Sequence, residues 1–356
     1  MRFTTLSVVL ATTPLSLAAP ARNGGGHGHH GHKAPGLDDL AKEAGLLYFG
    51  TAIDNISLNN TKYLSIAHNT SDFGQITPSN GQKWMYIEPA RNVFNYSMGD
   101  AIIKPAKKNG QMRRCHTFLW HNQLPDWLTK TNYTKTELIK ILENHIKNEA
   151  THYKNDCYAW DVVNEAFNDD GTYRKDLWLD TIGPEYIPLA FKFARKYVGR
   201  ETKLYYNDYG IERVNNKSLA VQAMVQKFLN EDIPIDGVGF QAHFTVGRAP
   251  TYDDLRNSMK LFTTKPLELE VALTELDVRI QLPGTEEKLK AQADVYGASV
   301  KACMDEEECV GVTVWDFWDP VSWVPDTFPG YGDACLWDKE YKRKPAYFKI
   351  AEVLSA

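Results

Sequence analysis

Eight short runs rich in branched and aromatic residues recur along the chain, at 46–53, 72–77, 111–119, 158–164, 203–207, 236–241, 269–274 and 309–315. Amphipathic stretches of helical length separate many of them, at 135–152, 184–197, 217–229, 252–262 and 286–303. Within 135–152, Leu138, Ile141, Leu142, His145 and Ile146 recur at helical spacing and supply one face for a sheet. Parallel strands need a crossover between neighbours, so this alternation leaves few architectures. The expected fold is α/β, a single (β/α)8 TIM barrel. Further helices are expected at 38–45 and 347–354, the latter closing against the barrel. An open doubly wound sheet is disfavoured because Gly45 and Gly50 lack the GxGxxG spacing of a dinucleotide loop. No GxxxxGK[ST] or HExxH sequence occurs.

Two of the runs end in a glutamate. Residues 158–163 lead into Asn164 and Glu165, and Val271, Ala272, Leu273 and Thr274 lead into Glu275, 110 positions later. Ligands of repeating β/α proteins gather beyond the carboxyl ends of the strands, which makes both acids active-site candidates. The bland alternative is that each merely terminates a strand. Paired carboxylates suit hydrolysis of an acetal between sugars, where a poor leaving group must be protonated and positive charge stabilised. Glu165 is the expected acid/base and Glu275 the expected nucleophile; the two roles need environments that separate their pKa values. Such chemistry requires no metal or organic cofactor.

Other strand ends supply company for this pair. Asn164 is positioned to hold a sugar 2-hydroxyl, and Gln241 and His243 face one side if strand geometry persists through both. His243 is expected to bond Glu275. His116, Trp120 and His121 form a second group, and Lys83 follows Asn80 with Trp84 packing beneath. Of Trp315, Trp318, Trp323 and Trp337, at least two are expected to offer flat faces to sugar rings. Asp161 and Asp277 are competing acids, and Asp208 a candidate brace.

The formal net charge of −5, with Lys and Arg dispersed, gives no footprint for nucleic acid. Arg2, the apolar run from Leu6 to Leu17, and Ala18 and Ala19 read as a secretory signal over 1–19. That run is too short for a membrane span, and no later one reaches roughly 18 apolar residues. Export without membrane embedding is therefore expected. Residues 20–35 are Gly/His-rich, with His27, His29, His30 and His32; they read as a flexible or processed lead rather than a metal site. The catalytic barrel is assigned to 36–356, with a monomer favoured. Five cysteines permit two disulfides: Cys303 with Cys309 enclose a short acidic loop, Cys115 with Cys157 are candidates for the second, and Cys335 is left over. Acceptor triplets at Asn55, Asn59, Asn69, Asn95, Asn132 and Asn216 fit a glycosylated exported surface.

Several ordered motifs resemble family 10 of the glycoside hydrolases, whose familiar members are secreted endo-β-1,4-xylanases. The pieces are 73–78 with Asn80, Lys83 and Trp84; His116 and Thr117 with Trp120 and His121; 160–165; 207–209; Gln241 with His243; 274–277; 312–315; and 345–347. The resemblance covers about residues 38–350. It implies a retaining barrel enzyme, the roles given to Glu165 and Glu275, and substrate contacts from Asn80, Lys83, His116, Trp120, Gln241, His243, Trp315 and Trp323. It also implies the Cys303–Cys309 disulfide. Ser79 stands where such enzymes usually have glutamate, and Gly210, Phe240 and Asp316 also depart from the pattern. With Phe317 and Trp318, these positions suggest a reshaped cleft. The expected substrate is a β-linked polysaccharide, xylan first. The competing readings are a fungal tomatinase-like glycosidase releasing the oligosaccharide of a steroidal glycoside, and a carbohydrate-binding barrel without hydrolysis.

Overall fold

A computed structural model of the chain describes residues 34–356. The expected signal segment, and all but the end of the Gly/His-rich stretch, lie outside the described residues. Ten strands are present among these: β1 (Tyr48–Ile53), β2 (Gln75–Pro78), β3 (Met112–Leu119), β4 (Ala159–Asn164), β5 (Lys203–Asp208), β6 (Gly237–Phe240), β7 (His243–Thr245), β8 (Glu270–Gln281), β9 (Cys309–Val314) and β10 (Tyr331–Gly332). Parallel pairing runs from β1 through β6 to β8, then β8 pairs with β9 and β9 returns to β1. Eight strands thus close the barrel, as the alternating pattern implies. Short β7 lies parallel to the outer half of β8, and β10 runs antiparallel to its end.

The seventh barrel strand, β8, corrects the sequence reading. β8 continues to Gln281 instead of ending at 274, because Leu276, Val278 and Ile280 keep alternating into the interior while β7 and β10 take its backbone bonds. The expected long helices appear as Lys135–Tyr153, Tyr186–Tyr197, Asn216–Asn230, Tyr252–Thr263 and Glu286–Met304, and the terminal one as Pro345–Leu354. Thr134 caps the first of these, accepting from the Glu137 amide while Glu137 reaches back to Thr134. Helix Ser97–Lys108 escaped the sequence reading because Pro105 lies inside it. Burial of Ile102, Ile103 and Ala106 outweighs the hydrogen bond that proline forfeits.

The main core lies between the strands and the surrounding helices. Inside the barrel, polar side chains replace much of the usual aliphatic filling. The Arg114 guanidinium sits 4.3 Å over Tyr205 and pairs with Asp161, and the Tyr158 and Tyr205 hydroxyls both donate to Glu270 at 2.9 and 2.8 Å. Gly237 makes room for this layer, since a Cβ there would lie 2.5 Å from the Tyr205 ring. Disulfides join Cys115 to Cys157, tying β3 to the approach of β4, and Cys303 to Cys309 at the start of β9; Cys335 is a buried thiol.

Candidate active site

A cleft of about 1000 Å³ opens at the carboxyl ends of the barrel strands. Glu165 follows β4 with φ at 59°, a left-handed conformation that costs a non-glycine residue of order 1 kcal/mol or more. Its neighbours hold it there: the Glu165 amide donates to Asn207 O at 2.9 Å, and Arg174 Nε donates to Glu165 O at 2.8 Å. This turn points the carboxylate across the cleft. Trp120 Nε1 donates to its Oε2 and Gln241 Nε2 to its Oε1, both at 2.9 Å.

Glu275 projects from β8. Its carboxylate accepts from Asn207 Nδ2 at 2.8 Å and lies 3.1 Å from His243 Nε2. Asn207 Nδ2 also reaches Asn164 Oδ1 at 2.8 Å, and Gln241 Nε2 reaches the same oxygen at 3.2 Å. One hydrogen-bonded chain therefore joins the two glutamates through Asn207, Asn164 and Gln241. Asn207 is itself oriented by Thr274 Oγ1, 2.7 Å from its Oδ1. Gly239 leaves the space, since a Cβ there would lie 2.3 Å from that oxygen.

Charge around the pair is arranged by the remaining acids. Burial alone would lower the His243 pKa, but Asp277 and then Glu275 outweigh it and raise it to about 10, so the imidazole is cationic. Asp277 is 3.0 Å from His243 Nδ1 and accepts from Trp323 Nε1 at 2.7 Å. Burial brings Lys83 down to about 8 against the pull of Glu275, Glu165 and Asp54. Its Nζ donates to Asn80 Oδ1 at 3.0 Å and lies 4.8 Å over the Trp120 ring. Asp161 is spent beneath the floor on Arg114 and on His116 Nδ1, 2.9 Å away. Asp208 is buried, which pushes its pKa up to about 7 although Lys217 lies 2.8 Å away.

Asn80, Lys83, His116, Trp120, Asn164, Gln241, His243, Trp315 and Trp323 all line the one cleft with Glu165 and Glu275, as do Ser79, Gly210 and Asp316. Gln241 and His243 do so for a different reason from the one expected. Strand geometry breaks between β6 and β7 at Ala242, φ 62°, and each side chain reaches its own glutamate. Phe240, Phe317 and Trp318 require correction, because none lines the cleft. Phe240 meets Phe262 edge-on, Phe317 stacks on Tyr63 with centroids 4.6 Å apart, and Trp318 stacks on Tyr341 at 4.4 Å. Asp316 has φ 64°, which breaks the alternation of side chains after β9. Trp337 packs against Phe73 and Phe317, and Trp84 stacks on His145. Of Trp315, Trp318, Trp323, Trp337 and Trp84, only Trp315 and Trp323 line the cleft.

Sequence reasoning missed Asp54, Tyr209, Arg213, Arg248 and Arg279 as cleft-lining residues. Asp54 directly follows β1, so the strand-end rule would have found it. Arg279 lies in the part of β8 beyond the expected end. Among the described residues, no group of His, Cys, Asp and Glu is arranged to hold a metal ion.

Residues 36–353 match the sequence profile of glycosyl hydrolase family 10. The chain belongs to that family. Endo-1,4-beta-xylanase D of Talaromyces funiculosus is 47% identical over 321 residues, covering 90% of this chain and 78% of its own. Endo-1,4-beta-xylanase 2 of Aureobasidium pullulans is 42% identical over 364 aligned positions, 100% of this chain and 99% of its own. Among solved structures, the xylanase of Bispora sp. MEY-1 with xylobiose superposes with a TM-score of 0.86 at 40% identity, over 89% of this chain and 99% of that one. As a family 10 member, the protein is an O-glycoside hydrolase that retains anomeric configuration.

Proposed function

We propose that the protein is an exported endo-β-1,4-xylanase acting by double displacement, with Glu275 as nucleophile and Glu165 as acid/base. The observation that carries the assignment of roles is the environment of Glu275, held by the Asn207 amide and the His243 imidazolium. A carboxylate so braced is suited to attack as an anion. Glu275 attacks the anomeric carbon while Glu165 gives its proton to the glycosidic oxygen, and the leaving chain departs. Water then enters, Glu165 takes its proton, and the hydroxyl displaces Glu275 from the same carbon. Two inversions return the starting configuration. Asn164 is suited to bind the 2-hydroxyl, while Trp315 and Trp323 offer apolar faces to the sugars.

Xylan as substrate is supported by the names of the relatives, and export by the apolar leader. The glycoalkaloid reading loses the feature that suggested it, since Phe240 and Phe317 are buried in the core and Trp318 stacks on Tyr341 outside the cleft lining. A binding-only barrel gives no reason for two glutamates braced in one cleft. Product analysis on xylan and α-tomatine in parallel, with the first-formed anomer read by NMR, tests the proposal. Xylo-oligosaccharides appearing first as β-anomers are expected; selective turnover of α-tomatine, or none of either, overturns it.

A further inference from the structure

Three arginines line the cleft mouth. Arg213 follows β5, Arg248 follows β7, and Arg279 lies within β8, the strand beside β9. Arg213 is occupied, donating to Asp254 at 3.2 Å and to Ala249 O at 2.6 Å, and so pins the loop that bears Arg248. Arg248 and Arg279 are different. Neither guanidinium makes a hydrogen bond or ion pair with another described side chain. Arg279 is half-buried, its guanidinium carbon 3.8 Å from the centre of the Phe328 ring.

Backbone register sets these two arginines close in the fold. Arg279 pairs with Thr245, Val246 N donates to Arg279 O at 3.1 Å, and Arg248 N closes a turn onto Thr245 O at 2.9 Å. The neighbouring carboxylates are already committed: Asp277 to His243 and Trp323, Asp254 to Arg213 and the Thr251 amide, Glu212 to the Ala242 amide. A partly desolvated guanidinium with no ion pair of its own is a costly way to bind a hydroxyl, whereas its planar fork matches a carboxylate.

We infer that Arg279 and Arg248 form a subsite for the carboxylate of a uronic acid branch on the polysaccharide, a reading that rests on the hydrolase assignment above. The branch carboxylate occupies the in-plane edge of Arg279, with Arg248 closing from the turn. The test compares a glucuronic acid-bearing xylan with the same polymer after its carboxyls are reduced to alcohols, and with an unbranched xylo-oligosaccharide. At low salt, kcat/KM on the acidic polymer should exceed that on its reduced form about tenfold, as expected of a charge-assisted contact. The ratio should shrink as salt is raised. Arg279→Met and Arg248→Met should each cut it by about threefold or more, with Arg279→Lys retaining part. Equal kcat/KM on the two polymers by the parent enzyme sinks the subsite alone and needs no variant. A ratio unchanged in both methionine variants does the same. No turnover of any of the three substrates removes the xylanase reading, and the subsite with it.

Discussion

The His243 imidazole stands 3.1 Å from the Glu275 carboxylate and carries a positive charge there, because Asp277 holds its other nitrogen. Removing that cation takes away the charge that favours an anionic nucleophile. His243→Ala should therefore lower kcat/KM by roughly 10- to 100-fold, with His243→Lys keeping part of the rate. Equal losses in the two variants would assign His243 to packing only.

Glu275→Ala should fold normally and lose nearly all turnover, with added azide restoring an inverted glycosyl product. Glu165→Ala should impair natural polysaccharide far more than activated aryl glycosides, whose leaving groups need little protonation. Rates on purified natural substrate equal to those of the parent would reject both roles.

Lys83 is cationic below about pH 8, and burial is what brings it into that range. As pH rises through 8 the charge leaves the Asn80 and Trp120 corner of the cleft, so KM should climb more than kcat falls. In Lys83→Arg the limb should move several tenths of a pH unit or more to the alkaline side, since guanidinium stays protonated throughout (~12 or above). A limb that stays near 8 in this variant would trace to another group.

Burial raises the Asp316 pKa from 3.8 to about 7, despite hydrogen bonds from Tyr63 and the Phe317 and Trp318 amides. The folded state thus holds a proton that the unfolded chain releases above about pH 4. Stability from this group is complete below the unfolded value and declines as pH rises towards 7. Asp316→Asn should gain on the parent in Tm between pH 4 and pH 8, by at most about 4 kcal/mol of stability. A gap in Tm independent of pH would contradict the burial account.

The two disulfides close loops of different length, with sequence separations of 42 and 6. Chain entropy assigns about 4 kcal/mol to the longer and about 2 kcal/mol to the shorter. Replacing Cys115 and Cys157 by alanine should lower Tm more than replacing Cys303 and Cys309, as calorimetry can measure.

Local pattern determined the barrel and its candidate acids. Strand-length runs alternating with amphipathic helices are short-range features, and a polar residue ending such a run lies at the carboxyl rim of a β/α barrel whatever the long-range contacts. Glu165, Glu275, Asn164 and Trp315 were legible for that reason. Direction beyond the rim was not. Positive φ at Glu165, Ala242 and Asp316 breaks two-residue alternation just where the cleft is built, so Gln241 and His243 serve different glutamates and Phe317 turns into the core. Barrel closure alone decided that Asn207 bridges Asn164 and Glu275, that Asp161 is spent on Arg114, and that Arg279 reaches the mouth. These outcomes depend on register between strands far apart in the chain, and no local propensity encodes it.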